Sequence, residues 1–113
     1  MNASDIVLVH FPFTSLEATK KRPALVLRNT VLSKKINLVT IAMITSQVEG
    51  IQLEGDIFLD DWEEENLLYP SIVRLAKIST IEINLIEKKI GKLTKNDFEK
   101  VKKNFRQLYQ YWL

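Results

Sequence analysis

Two short stretches carry the side chains best suited to chemistry. In Lys20-Lys21-Arg22-Pro23 the proline biases Arg22 toward an extended backbone, so its guanidinium enters a strand in a set direction. That group is planar, permanently charged and able to contact a phosphodiester through two parallel hydrogen bonds. In Ile44-Thr45-Ser46-Gln47 two hydroxyls and an amide follow a long apolar run, a set that donates hydrogen bonds to an oxyanion or simply caps a turn. His10 is the only histidine. Its ordinary pKa suits a base near neutrality, but it alternates with Ile6 and Leu8 and reads as a structural or strand-end histidine. Asp60, Asp61, Glu63, Glu64 and Glu65 form an acidic run without metal-ligand spacing. Neighbours in an extended segment point to opposite faces, so the run reads as a solvated loop. With no cysteine, thiolate nucleophiles, thiolate metal sites and disulfides are excluded. The three glycines, at 50, 55 and 91, are too scattered to build a phosphate loop.

These groups need a scaffold, and the periodicity supplies one. Asp5 to Phe13 is apolar on both alternating sets, which predicts a strand buried on both faces and closed by Pro12. Further strands are expected at Pro23 to Arg28, at Asn37 to Ile44, around Gln52 to Leu59 with a bend at Gly55, at Ser71 to Leu75 and at Ile90 to Leu93. Ile81 to Lys89 fits either a short helix or a strand. Thr94 is a good N-cap with Asp97 three residues on, an acidic variant of the capping box. Phe98, Val101, Phe105, Leu108 and Trp112 then recur at helical spacing and form one apolar stripe. The expectation is one domain over residues 1–113, mainly β with a C-terminal helix, arranged as a small barrel-like sheet.

Composition narrows the function classes. Of the 113 residues, 46% are apolar and 27% charged, which is globular composition. No apolar run reaches the length of a membrane span and no signal-peptide pattern opens the chain, so a cytoplasmic location is expected. The net charge of +2 hides a division. Residues 36–73 contain eight acids and no Lys or Arg, while the rest carries sixteen cations against six acids. Such a split either presents a basic face to phosphates or, at Lys100, Lys102, Lys103 and Arg106, merely solvates a helix.

Taken in order, five stretches resemble the MazF/PemK family of toxin endoribonucleases, the toxin halves of type II toxin–antitoxin systems. They are Asp5-Ile-Val-Leu-Val-His-Phe-Pro-Phe13, Lys21-Arg-Pro-Ala-Leu-Val-Leu27, Ile41-Ala-Met-Ile-Thr-Ser46, Pro70-Ser-Ile-Val-Arg-Leu75 and Lys77-Ile-Ser-Thr-Ile-Glu82, closed by Ile90-Gly91. The resemblance implies an SH3-like β-barrel with a terminal helix, a homodimer and a groove for single-stranded RNA. It also implies cleavage by the RNA's own 2′-hydroxyl with no metal or other cofactor. As partners it implies a cognate antitoxin and, through that complex, operator DNA. By the same resemblance Arg22 and Thr45 are catalytic, and Glu17, five residues before Arg22, is the candidate base. Lys20, Lys21, Ser46 and Arg74 then contact RNA. The chain departs from the family pattern at Ser4, where glycine usually precedes the aspartate, and at His10, where aspartate is common. Ala18 and Ser79 replace a frequent glutamine and arginine, and Ala76 stands where some members place an acid two residues after the arginine. His10 and Ala76 are the features that favour the alternative, a catalytically inactive homologue that binds operator DNA with its antitoxin.

Overall fold

The computed structural model describes residues 1–11 and 20–113. Among these residues six antiparallel strands form one sheet: β1 (Asp5–Phe11), β2 (Lys20–Val31), β3 (Asn37–Thr45), β4 (Asp56–Phe58), β5 (Ile72–Glu82) and β6 (Ile86–Lys92). Their order is β4-β5-β3-β2-β1-β6. Among the described residues the two edge strands do not pair with each other, so the sheet is barrel-like but open. The ambiguous segment Ile81 to Lys89 comprises the end of β5, a 3-10 turn (Ile83–Leu85) and the start of β6, and helix α1 (Lys95–Leu108) follows. Among the described residues no helix is long and apolar enough to cross a membrane.

β1 is buried on both faces, as its doubled apolar pattern requires. Ile6 joins Leu25, Ile44, Leu59, Leu75 and Val101 in a core beneath the helix. Val7 and Val9 join Val26, Val39, Ile41 and Ile81 in a second core on the opposite face. β2 and β3 contribute to both, so burial of two apolar surfaces holds the middle of the sheet. The expected short strand at Ser71 to Leu75 proves to be the start of an 11-residue strand. Its register against β3 jumps between the pairs Ala42↔Ile78 and Met43↔Arg74, leaving Leu75, Ala76 and Lys77 as a bulge. That break in alternation is why the sequence pattern stops the strand at Leu75.

The helix begins as its sequence predicts, but its capping is not local. The Thr94 hydroxyl accepts from the Asp97 N–H at 3.3 Å. The return contact comes from a residue 29 positions upstream: the Glu65 carboxyl accepts from the Thr94 N–H at 3.0 Å. Asp97 instead accepts from the backbone N–H groups of Asp60 and Asp61 at 3.1 and 3.0 Å, and Asp61 accepts from the Thr94 hydroxyl at 2.6 Å. The acidic run is therefore not a solvated loop throughout, since Glu65 is 0% exposed and Asp61 half-buried. Val101, Phe105 and Leu108 of the predicted stripe pack on the core. Phe98 lies at the surface beneath the Lys102 ammonium. Trp112 falls in a terminal 3-10 turn beyond the helix and is 88% exposed.

Glu65 also explains Gly91. A methyl group at position 91 would overlap the Glu65 carbonyl oxygen, so only glycine lets the acidic loop lie on β6. Asn66, at φ 64°, reverses the chain there and donates to the Ile90 carbonyl at 2.9 Å.

Burial pushes the Glu65 carboxyl up to about 7, with neighbouring Asp97 and Asp61 acting in the same direction and the Thr94 N–H against it. The raised pKa means the folded state prefers the protonated acid. Its contribution to stability is fully present below the ordinary value of 4.5 and is lost as pH rises through about 7. Glu65→Gln keeps the shape without ionising. The stability of wild type minus that of Glu65→Gln should fall by on the order of 3 kcal/mol between about pH 5 and about pH 8. Urea denaturation of both proteins across that range measures it, and a difference independent of pH would refute the protonated, buried carboxyl.

Candidate active site

The ends of β2 and β3 meet in a cleft of about 470 Å³. Leu8, Pro23 and Ile44 form its apolar floor, Lys20 to Arg22 and Thr45 to Gln47 its polar rim, and the segment from Asn66 to Tyr69 its far wall. The register explains the pairing at the rim. β2 and β3 align Ala24 with Met43, and two more residues along each strand bring Arg22 and Thr45 to equivalent positions. Both side chains are half-buried, which limits their freedom and prepays part of the entropy of ordering them around a ligand.

Thr45 shows how the turn-capping and ligand readings combine. Its hydroxyl oxygen accepts from the Gln47 N–H at 3.1 Å, closing the turn after β3. That bond uses one of the oxygen's two lone pairs, so the hydroxyl keeps its proton and one acceptor site for the cleft. Lys21 donates to Glu87 of β6 at 2.7 Å, and this ammonium holds the Glu87 carboxyl below its usual range. His10 ends β1 opposite Lys21 in the strand register, half-exposed, with Nε2 3.6 Å from the same Glu87 oxygen. It borders the Lys21–Glu87 pair and is not part of the cleft lining.

Of the residues singled out in the sequence, the structure brings Arg22, Thr45, Lys20, Lys21 and Ser46 into this one cleft. Arg74 is elsewhere. Its guanidinium donates to the Ile51 carbonyl at 2.7 Å and lies 3.8 Å from the buried Asp56 carboxylate. Ala76 lines a separate cavity of about 250 Å³ with Met43 and Lys77. Glu17 lies outside the described residues. Sequence reasoning missed the wall: Asn66, Leu68 and Tyr69 sit at the end of the acidic run, where Tyr69-Pro70 reads only as a terminator. The signal was three large apolar residues in a row, Leu67 to Tyr69, between an acidic run and a proline.

The architecture defines a class before it defines a family: a small antiparallel sheet with a terminal helix that presents permanent cations and hydroxyl donors in one strand-end cleft. The chain belongs to the family of PemK-like, MazF-like toxins of type II toxin–antitoxin systems, which it matches over residues 2–109. Solved structures share the fold. A toxin of Mycobacterium tuberculosis, MazF-mt6, superposes with a TM-score of 0.71 at 23% identity, covering 94% of this chain and 96% of that one. An endoribonuclease from a mycobacterial species, solved in complex with its cognate antitoxin, gives a TM-score of 0.73 at 11% identity over 97% and 95% of the two chains. MazF from Deinococcus radiodurans gives 0.68 at 18% identity over 97% and 96%. No functionally curated protein matches the chain.

The position of Arg74 has a measurable consequence. Truncating it removes the cation beside the buried Asp56 and a donor to Ile51. Arg74→Ala should therefore lower folding stability by about 1–3 kcal/mol, the usual cost of stranding a buried polar group. Chemical denaturation of the variant checks this, and an unchanged midpoint would show the contact to be energetically idle.

Proposed function

We propose that this chain is the toxin of a type II toxin–antitoxin pair and cleaves single-stranded RNA at the cleft rimmed by Arg22 and Thr45. The supporting observation is that two segments distant in sequence deliver a guanidinium, two ammonium groups and hydroxyl donors to one concave surface. Family membership points the same way. In this reading the RNA's 2′-oxygen attacks the adjacent phosphorus and its proton passes to Glu17. The bond from phosphorus to the 5′-oxygen breaks, and the departing oxygen takes a proton from solvent. The products are a 2′,3′-cyclic phosphate and a 5′-hydroxyl. Arg22 holds the phosphate and balances the charge that accumulates on its oxygens, and Thr45 donates a hydrogen bond to the same group. Lys20, Lys21 and Ser46 position the backbone, while Arg74 braces the Asp56 strand. A guanidinium and a hydroxyl supply the charge stabilisation for which other nucleases recruit a cation, so the reaction is proposed to need no metal.

The proposal extends to partners. The basic rim suits an acidic antitoxin segment that orders on binding, and a mycobacterial relative of the same fold was solved with its antitoxin. Tyr111, Trp112 and Leu113 are all largely exposed, and apolar surface of this kind is what a homodimer would cover. Contact with operator DNA is assigned to the toxin–antitoxin complex, and the cytoplasm is the proposed location.

Cleavage of a long single-stranded RNA should persist in EDTA and leave cyclic phosphate ends, and DNA of the same sequence should be untouched because it lacks the nucleophile. Complete loss of cutting in chelator would refute the metal-free reaction. Binding to antitoxin and operator with no RNA cleavage would instead establish the inactive homologue.

Glu17→Gln retains shape while removing the base, so cleavage should drop roughly 10²–10⁴-fold with RNA still bound. Arg22→Ala should lose cleavage and part of the binding, and Thr45→Ala less than either. His10→Asn is the control and should cut almost normally. If it abolishes cutting while Glu17→Gln does not, the histidine is the base.

A further inference from the structure

The segment that walls the cleft is built to hold two large apolar side chains in water. Leu67 is buried in the core and accepts no displacement. Asn66 reverses the chain at φ 64° and is tied to the Ile90 carbonyl. The Ser71 hydroxyl donates to the Tyr69 carbonyl at 2.7 Å, fixing the other end. Between these anchors Leu68 is 83% and Tyr69 63% exposed, and both line the same cleft as Lys20, Lys21 and Arg22. Nothing in the packing requires either side chain to be apolar. Adjacent exposed apolar groups on a braced backbone mark a binding surface.

We propose that Tyr69, backed by Leu68, is the platform on which an unpaired RNA base stacks while the adjoining phosphate lies at Arg22. The inference rests on the RNA reading above and deepens it by naming a residue that selects the substrate. A nucleotide has two unlike halves, an anion and a flat aromatic ring, and the lining of this cleft offers both cations and an exposed aromatic ring. Its volume falls within the roughly 300–1,000 Å³ typical of sites that enclose a compact ligand. A hollow of that size takes a nucleotide inside it, whereas an extended acidic antitoxin segment would run along its basic rim. Stacking on an aromatic ring tolerates any base and adds affinity without a hydrogen-bond code.

The test uses a short, mixed-sequence RNA with every 2′-hydroxyl methylated, so that it cannot be cut, and the same backbone without bases. Binding of both to wild type, Tyr69→Ala and Tyr69→Phe is measured by fluorescence anisotropy. Wild type should prefer the base-bearing strand by roughly 5- to 150-fold. Tyr69→Ala should lose most of that preference while binding the abasic backbone as before, and Tyr69→Phe should keep it. A Tyr69→Ala protein that weakens both probes equally, or neither, overturns the platform. So does a variant that loses only the antitoxin, because the wall then serves a protein. A chain that shows the Tyr69-dependent preference but never cuts unmodified RNA keeps the platform and refutes the nuclease. One that cuts RNA without that preference does the reverse.

Discussion

One buried carboxyl arrangement ties the separate parts of this molecule together. Glu65 meets the Thr94 N–H at the start of α1, and Asp97 from the first turn of that helix reaches back to the N–H groups of Asp60 and Asp61. The helix N-terminus carries partial positive charge and unsatisfied donors, so acids are stabilising there. Here the acids come from a loop as well as from the helix, and each side caps the other. The arrangement packs the loop onto β6 at Gly91 and sets the direction in which the chain leaves Glu65. Since the next residues are those that wall the cleft, a contact remote from the cations decides the shape of the surface they face. Burial of two neighbouring carboxyls is tolerable because Glu65 holds its proton into the neutral range.

The sheet contributes a different constraint. Because β1, β2 and β3 are apolar on both faces, they cannot slip in register without moving whole sets of side chains from one core to the other. That pins the strand ends, and the strand ends carry Arg22 and Thr45. Ile44 belongs to the core beneath the helix, and together with Leu8, which alternates with Ile6, it also lines the cleft. The site thus adjoins the core, with cations added at its rim. Electrostatic attraction there is strengthened by the apolar floor, which keeps the surrounding dielectric low.

Two departures from the family pattern acquire physical content from the structure. Ser4, where relatives usually have glycine, sits at φ 77° with its N–H donated to the Val26 carbonyl and its carbonyl accepting from Leu93. The position demands a left-handed backbone, which glycine adopts freely and serine at a cost. Ala76 falls within the β5 bulge, outside the cleft that holds Arg22. The loss of an acid at that position leaves the cation and hydroxyl set at the rim intact.

Much of the architecture was legible in the residues themselves. Doubled alternation marked β1 as buried on both faces, β-branching marked β3, and Thr94 marked the start of the helix, because these features depend on neighbours in the chain. Arg22 and Thr45 stood out by type and by the strand-end positions that proline and an apolar run assign them. The sequence also determined the membership in the family, through motifs whose order and spacing match. What only the tertiary structure decided are the contacts between residues far apart in the chain. Local pattern made the acidic run a solvated loop, made β5 stop at Leu75, and placed Trp112 on the helical stripe. Each differs in the fold because a distant partner intervenes: Thr94 and Asp97 draw Glu65 inward, β3 carries β5 on past its bulge, and the helix ends at Leu108, leaving Trp112 in a separate turn. The commitment of Arg74 to Ile51 and Asp56, and the presentation of Tyr69 to the cleft, are likewise set by three-dimensional packing. Periodicity encodes which face a residue takes within its own element, whereas the partner that face meets is chosen by the closing of loops over the finished sheet.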